Sequence, residues 1–346
     1  MLNNTIREIT QRDIGVSVIF LLALIRKYRN FAREIQIQLA DAPNEWGKYQ
    51  SLFNYEINGI FRLIMEFEKE NLTKGNAEKV NKLKRLFIKH IRREFLCGEY
   101  IDWSLKKPFG YAGDYKIIND IYANSPKTVG FERLFDNYFQ MSAISVAVRN
   151  RKNDFKKYLL KLISDKNTTM RFANLGCGPC RELYEIFLLN HISSPKIVID
   201  CYDNDEKALK YSEQLLSKKR NINLIKQNAV RLALTKNIRT ILHHQYDFIY
   251  SLGLFDYFGD KLSYRLICNL KASLKKGGVL AIANVRDKFS NPSVHFMEWV
   301  GEWNLVYRSD DEFQRIFFDA GFRKEDLTVG YEQQGILQYV FAVNNI

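Results

Sequence analysis

Cys177 and Cys180 stand two residues apart in "FANLGCGPCRELYEI", Phe172 to Ile186, with Gly178 and Pro179 between them. A dithiol at that spacing performs thiol–disulfide exchange when its first sulfur is exposed at a helix start, where the thiolate is favoured. The overlapping residues Asn174-Leu175-Gly176-Cys177-Gly178 allow a different chemistry. Glycines at 176 and 178 let the backbone turn sharply and approach a ligand with no Cβ in the way. A nucleotide cradle also requires an acid about 20 to 30 residues on, at the end of the next strand, to accept ribose hydroxyls. "VIDCYDND" supplies Asp203, with Asp205 two further. The dithiol reading lacks comparable support. Gly176 precedes Cys177 where an aromatic is expected, and neither Pro195 nor Pro292 falls convincingly at a strand start. The cradle is the better reading.

The elements that must carry this turn follow from hydrophobic periodicity. From about residue 170, short β-rich runs alternate with helices. "MRFANL", "KIVIDCYDND", "INLIKQNAV", "YDFIYSLGLFDYF" and "LKKGGVLAIANV" read as five strands, with "RELYEIFLLNH" and "EKALKYSEQLLSKK" as helices between the first three. Such alternation predicts crossover units and a parallel sheet covered on both faces. "EDLTVGYEQQGILQYVFAVNN" predicts an antiparallel hairpin around Gly335 at the sheet edge. Residues 1 to about 145 read as helices throughout. "KPFGYAGDYKIINDIY" (107 to 122) interrupts them with a loop entering a new helix.

Composition bounds the rest. The 346 residues are 46% apolar and 14% aromatic, ample for a packed core. Net charge is +13, and residues 1–165 hold 28 Lys+Arg against 19 Asp+Glu, so most of the excess is N-terminal. No nucleic-acid motif accompanies it, and "KVNKLKRLFIKHIRREF" spreads its cations at helical spacing, as a solvated surface does. The run "IGVSVIFLLALI", Ile14 to Ile25, is followed by "RKYRN" rather than a cleavage site. Twelve helical residues reach about 18 Å, short of a bilayer core of about 30 Å, so a buried helix is expected. Five cysteines without a secretory signal fit free thiols in a reducing cytoplasm. The histidines (90, 191, 243, 244, 295) are scattered and Cys177/Cys180 lacks a second ligand pair, so no metal is expected.

Which nucleotide the turn takes is narrowed by Arg181, which stands where a dinucleotide site wants a small residue. The turn instead resembles the first motif of class I S-adenosylmethionine (SAM) methyltransferases, with Asn174 for the usual acid and Cys180 for the last glycine. The set "NLGCGPCREL", "DNDEKAL", "QNAVRL", "YDFIYSLGLFDYF", "LKKGGVLAIANV" and "MEWVGEWNLVYRSDDEF", with "GYAGDY" upstream, resembles a narrower bacterial group. These are the extracellular-factor 3-hydroxypalmitic acid methyl ester biosynthesis proteins, and the similarity runs over roughly 105 to 345. The resemblance implies a Rossmann-like seven-stranded sheet over 146–346 and a helical N-terminal domain over 1–145 that includes the GYAGDY motif.

It further implies SAM as cofactor. Asn174, Gly176, Cys177 and Gly178 would lie at its methionine part and Asp203 at the ribose. Asn228 and Ala229 would flank adenine, and Ser251, Leu252 and Gly253 would leave the fourth strand beneath the sulfonium. Asn228 is equally read as turn chemistry. Tyr111, Asp114 and Tyr115 are candidate acceptor residues on a lid, or else a capped helix start with packed tyrosines. Arg286, His295 and Arg308 are candidates to hold a carboxylate, with Trp299, Trp303 and Tyr307 walling an apolar slot. Arg149 and Arg151 are candidates for the carboxylate of SAM, or surface charge.

The expected activity is O-methylation of a small amphiphilic carboxylate such as a 3-hydroxy fatty acid. N- or O-methylation of another small metabolite is the alternative. An RNA-directed methyltransferase is disfavoured because "SLGLFDYF" has no proline of the kind that holds base amino groups. The expected partner is a small-molecule acceptor, without nucleic acid or stable membrane insertion, and homodimerisation is left open.

Overall fold

The computed structural model describes residues 16–164, 169–188, 197–217 and 221–345. Its chain divides into two compact units. One gathers the residues up to Gly113 with Asn124–Ser145 and Asn291–Asn304. The other gathers Asp114–Ala123, Val146–Ser290 and Leu305–Ile346.

The first unit is helical: α1 (Val16–Asp41), α2 (Gln50–Thr73), α3 (Ala77–His90) and α4 (Glu99–Lys106), with α5 (Tyr115–Ala123) belonging to the second unit and α6 (Gly130–Met141) to the first. In α2 the buried residues Phe53, Ile57, Ile60, Phe61, Ile64 and Phe67 recur at three- and four-residue intervals, which gives one apolar face. Phe61 packs edge-on to Phe87 and Phe95, and Phe53 edge-on to Phe135 at 4.8 Å.

The second unit is built on α7 (Ala143–Ser164, its first turn lying in the helical unit), β1 (Met170–Leu175), α8 (Arg181–Leu188), β2 (Ile197–Asp203), α9 (Glu206–Leu216), β3 (Ile222–Lys226), α10 (Ala229–Leu234), β4 (Tyr246–Ser251), α11 (Asp260–Ala272), β5 (Leu274–Val285), α12 (Asp310–Asp319), β6 (Leu327–Tyr331) and β7 (Leu337–Val343). The strands form one seven-stranded sheet in the order β3-β2-β1-β4-β5-β7-β6. β1 to β5 pair in parallel, while β7 runs antiparallel to both β5 and β6. This is the Rossmann-like seven-stranded fold, with the hairpin at its edge. The chain winds outward from β1 to β3, then returns to β4 on the other side of β1. The carboxyl ends of β1 and β4 therefore flank a crevice at the reversal, where open α/β sheets bind ligands. Gly278 sits where the β4–β5 register breaks; a Cβ there would meet the Tyr246 carbonyl oxygen at 2.8 Å, so only glycine allows that approach.

The division at 145/146 is crossed twice. Helix α5 belongs with the sheet, held by Arg181 Nη1 donating to Asn119 Oδ1 and by Tyr115 packing on Tyr211. Residues 291–304 belong with the helices because Phe296 packs on Phe61 and Tyr138, and Trp299 on Phe87. The apolar run at 14–25 is only partly buried. Leu21, Leu22 and Ile25 are buried in α1, but Ile19 is 57% exposed, so one face of the run meets solvent. Among the described residues no helix is long and apolar enough to cross a membrane. The start of that run, His191, Pro195 and the far ends of the helices expected over 181–191 and 206–219 lie outside the described residues.

Candidate functional site

The glycine turn leaves β1 at the reversal. Gly176 (φ +61°) and Gly178 (φ +52°) occupy the left-handed region that glycine tolerates best, which is why the chain spends glycines there. Cys180 shares that conformation at φ +46° without being glycine. The amides of Gly176 and Cys177 both donate to the Tyr202 carbonyl, at 2.8 and 3.2 Å. The amide of Gly178 donates to Asp203 Oδ2 at 2.9 Å, and Ser212 Oγ donates to the Gly178 carbonyl at 2.8 Å. These three N–H groups are thus committed to the end of β2 and form no nest for a phosphate. What the turn offers is bare backbone: a Cβ on Gly178 would find no atom within 4 Å, whereas one on Gly176 would press Leu254 Cβ at 3.2 Å.

Asp203, the last residue of β2, accepts on one oxygen from Gly178 and on the other from the Asp205 amide at 2.9 Å. Burial raises its pKa, and those two backbone donors oppose the rise. Each carboxylate oxygen retains a lone pair for a hydroxyl donor. Asp205, not Asp203, caps α9, accepting from the Lys207 amide at 2.8 Å.

Both thiols of the motif are buried, Cys180 completely and Cys177 to 7% exposure, with Cys201 of β2 beside them; all are free. Hydrogen bonding to Cys180 and Cys201, together with burial, raises the Cys177 pKa well above its ordinary value. Cys180 is shifted the other way by the same hydrogen bonds, but a nucleophilic dithiol also needs an open face, which neither buried sulfur has. The cluster packs the back of the turn.

Beneath the turn lies a polar group that periodicity did not single out. Glu182 of α8 is 2% exposed, and its Oε1 accepts from both Asn174 Nδ2 and Tyr250 OH at 3.0 Å. Burial pushes its pKa up to about 8. The signal was present: Glu182 falls four residues before buried Ile186 and beside buried Leu183, a charge on the apolar face of the helix. Asn174 therefore faces an acid supplied from the following helix.

After β4 the chain closes the other side of the crevice. Ser251 Oγ donates to the Leu175 carbonyl at 2.9 Å, tying β4 to β1, and Leu252 is buried. Gly253 lies against the Arg151 guanidinium, with Nη2 3.3 Å from where its Cβ would be. Arg151 is 5% exposed, hydrogen-bonds Tyr122, and its Nη1 is 3.6 Å from Asp256 Oδ2; its Nε has no partner among the described residues. Asp256 accepts from the Val285 amide, and burial raises its pKa to about 6 against the pull of Arg151. Asp256 had no periodic signal, since it stands in a single 3₁₀ turn, Phe255–Tyr257, too short to show one.

Asn228 caps α10, its Oδ1 accepting from Val230 and Arg231 amides, and Ala229 is the first residue of that helix. Asp114 caps α5 through the Lys116 and Ile117 amides and is fully buried; Tyr115 follows it, and Tyr111, 36% exposed, belongs to the helical unit. Arg149 donates to the Ile121 carbonyl.

The residues expected after β5 to hold a carboxylate fall in different units, His295 in one and Arg286 and Arg308 in the other. His295 lies in the helical unit, 0% exposed, with Nε2 2.7 Å from Glu68 Oε2. Arg308 is 3% exposed and spent on Asp260, Asn284 and the Phe255 and Phe258 carbonyls. Arg286 grips Asp310 with two parallel bonds at 2.7 and 2.8 Å, so an internal carboxylate holds it. Trp299 is 0% exposed core, and Trp303 falls with it in the helical unit while Tyr307 falls in the other, so they make no common slot within either unit. Among the described residues no cluster of three or more His, Cys, Asp or Glu could hold a metal.

No family model matches the chain, and no curated protein matches it. Solved structures do. A protein from Bordetella parapertussis described as a possible exported protein superposes with a TM-score of 0.55 at 18% identity, covering 67% of this chain and 80% of that one. Magnesium protoporphyrin IX methyltransferase from Synechocystis, with SAH bound, gives 0.46 at 12% identity over 70% and 96%. The N-methyltransferase NodS from Bradyrhizobium japonicum gives 0.38 at 13% over 57% and 97%. Identities this low speak for the fold alone, and the latter two scores are too low to add to it.

Proposed function

We propose that the chain is a SAM-dependent methyltransferase that seats its cofactor at the crevice between β1 and β4 and esterifies the carboxylate of a small amphiphilic acid. The observation that carries the cofactor reading is the end of β2. Asp203 is tied to Gly178 and keeps lone pairs for ribose hydroxyls, while the space above Gly178 is empty of protein atoms. The strand order supports it, since the fold brings the glycine turn, the acid and the loop after β4 to one sheet edge. When bound, SAM supplies an electrophilic methyl group on a sulfonium. The chain's own residues hold and orient. Asp203 takes the ribose, and Ala229, at the capped start of α10, lies where adenine is expected. Arg151 and Asp256 present opposite charges, 3.6 Å apart, to an amino-acid end. A carboxylate acceptor is already ionised at neutral pH, so alignment and exclusion of water suffice and no general base is required.

The acid acceptor rests on the sequence resemblance; the alternative is another small metabolite. A cytoplasmic location belongs to the same proposal. Titration calorimetry with SAM tests the cofactor, and saturable one-to-one binding is expected. Incubation with methyl-labelled SAM and a lysate extract tests the acceptor, with label expected in lipid-phase esters. Label in polar metabolites alone replaces the acid by the alternative. Absence of SAM binding removes the whole reading.

A further inference from the structure

A second cavity, of about 390 Å³, opens on the sheet away from the glycine turn. Its floor is Asp200 and Tyr202 of β2. Asp200 lies three residues before Asp203, an odd separation that turns its side chain to the opposite face and sets it about 10 Å back along the strand. The floor is a buried polar network. Asp200, 1% exposed, accepts from Arg171 Nη1 (2.9 Å), Tyr246 OH (2.9 Å) and Asn223 Nδ2 (2.6 Å), and Tyr202 OH meets Tyr246 OH at 2.7 Å. A strand interior favours apolar residues there, and a buried carboxylate is costly unless fully paired. The side chains of this network make no hydrogen bond to the turn, which is anchored on the Tyr202 carbonyl instead. The rim carries Arg231 of α10 and the imidazoles of His243 and His244, all exposed.

We propose that this cavity binds a small phosphorylated polyol, hydroxyls inward and phosphate at the rim. Charge sets the orientation. Arg171 is paired with Asp200, so the floor holds no net positive charge for a phosphate, while the hydroxyl and amide groups of Tyr202 and Asn223 suit neutral hydroxyls. Arg231 with two imidazoles suits a phosphate, which Arg recognises with paired bonds. The volume lies in the range of small-molecule sites. This inference does not depend on the proposed cofactor, because the cavity shares no residue with the glycine turn.

The test follows the imidazole resonances of His243 and His244 by NMR during titration with inorganic phosphate and with glycerol 3-phosphate. Saturable shifts at both histidines are expected, with glycerol 3-phosphate binding at least tenfold more tightly. Arg231→Gln should weaken both probes at least tenfold, and Tyr202→Phe should remove most of the margin between them. SAM binding should be unchanged in Arg231→Gln, which keeps this outcome separate from failure of the cofactor reading. Non-saturating shifts, equal shifts at every histidine, or equal affinity for the two probes would overturn the proposal.

Discussion

Glu182→Gln should stabilise the protein in a pH-dependent manner. In the unfolded chain this carboxyl ionises near 4.5, whereas burial in the fold holds it protonated to about pH 8. Its pKa is therefore raised on folding, and the unfolded state releases the proton first. The contribution to stability is fully present below about pH 4.5, falls as pH rises towards 8, and levels off above that. Each pH unit in that window is worth about 1.4 kcal/mol, so the loss is on the order of 3 kcal/mol at pH 7 and 4 to 5 kcal/mol in mild alkali. Glutamine cannot ionise. Its Oε1 can accept from Asn174 and Tyr250 as the Glu182 Oε1 does. Urea unfolding at pH 4.5, 7 and 8.5 measures this. Wild type and variant should agree at the lowest pH, and the variant should be more stable by about 3 kcal/mol at pH 7. If the two differ by the same amount at all three pH values, Glu182 is ionised in the fold and the reasoning about its burial is wrong.

Asp203→Ala should weaken SAM binding at least tenfold with little loss of folding, read by calorimetry; unchanged affinity would remove Asp203 from the site. Gly178→Ala should cost about 1–2 kcal/mol from its left-handed backbone. Its Cβ would also enter the open space above the turn, so SAM affinity should fall more steeply than stability, and equal small losses would argue against a ligand there. His295→Ala should lower stability by about 2–4 kcal/mol, through the cavity and the loss of its bond to Glu68. SAM affinity should not change, whereas a variant of normal stability with impaired turnover would return His295 to the reaction.

The glycine turn, the five parallel strands, the closing hairpin and the place of Asp203 at the end of β2 were legible from sequence because each rests on local constraints. Left-handed backbone selects glycine, strand alternation has a fixed period, and an acid at a strand end lies a countable distance from the turn. The partners of Arg286, His295, Arg308 and Trp299 were not legible. A residue's type shows what it could bind, but only packing shows what has already bound it. Arg286 holds Asp310, His295 meets Glu68 some 227 positions away, and Trp299 fills an aromatic core. The pairing of Asn174 with Glu182, the contact of Arg151 with Gly253, and the Asp200 network likewise join residues from separate elements. Local periodicity and backbone preference were enough for the succession of strands and helices and the position of the turn. Tertiary structure alone decided which polar groups were left to face a ligand, because partners distant along the chain consume hydrogen bonds and charge only once the sheet and helices have closed.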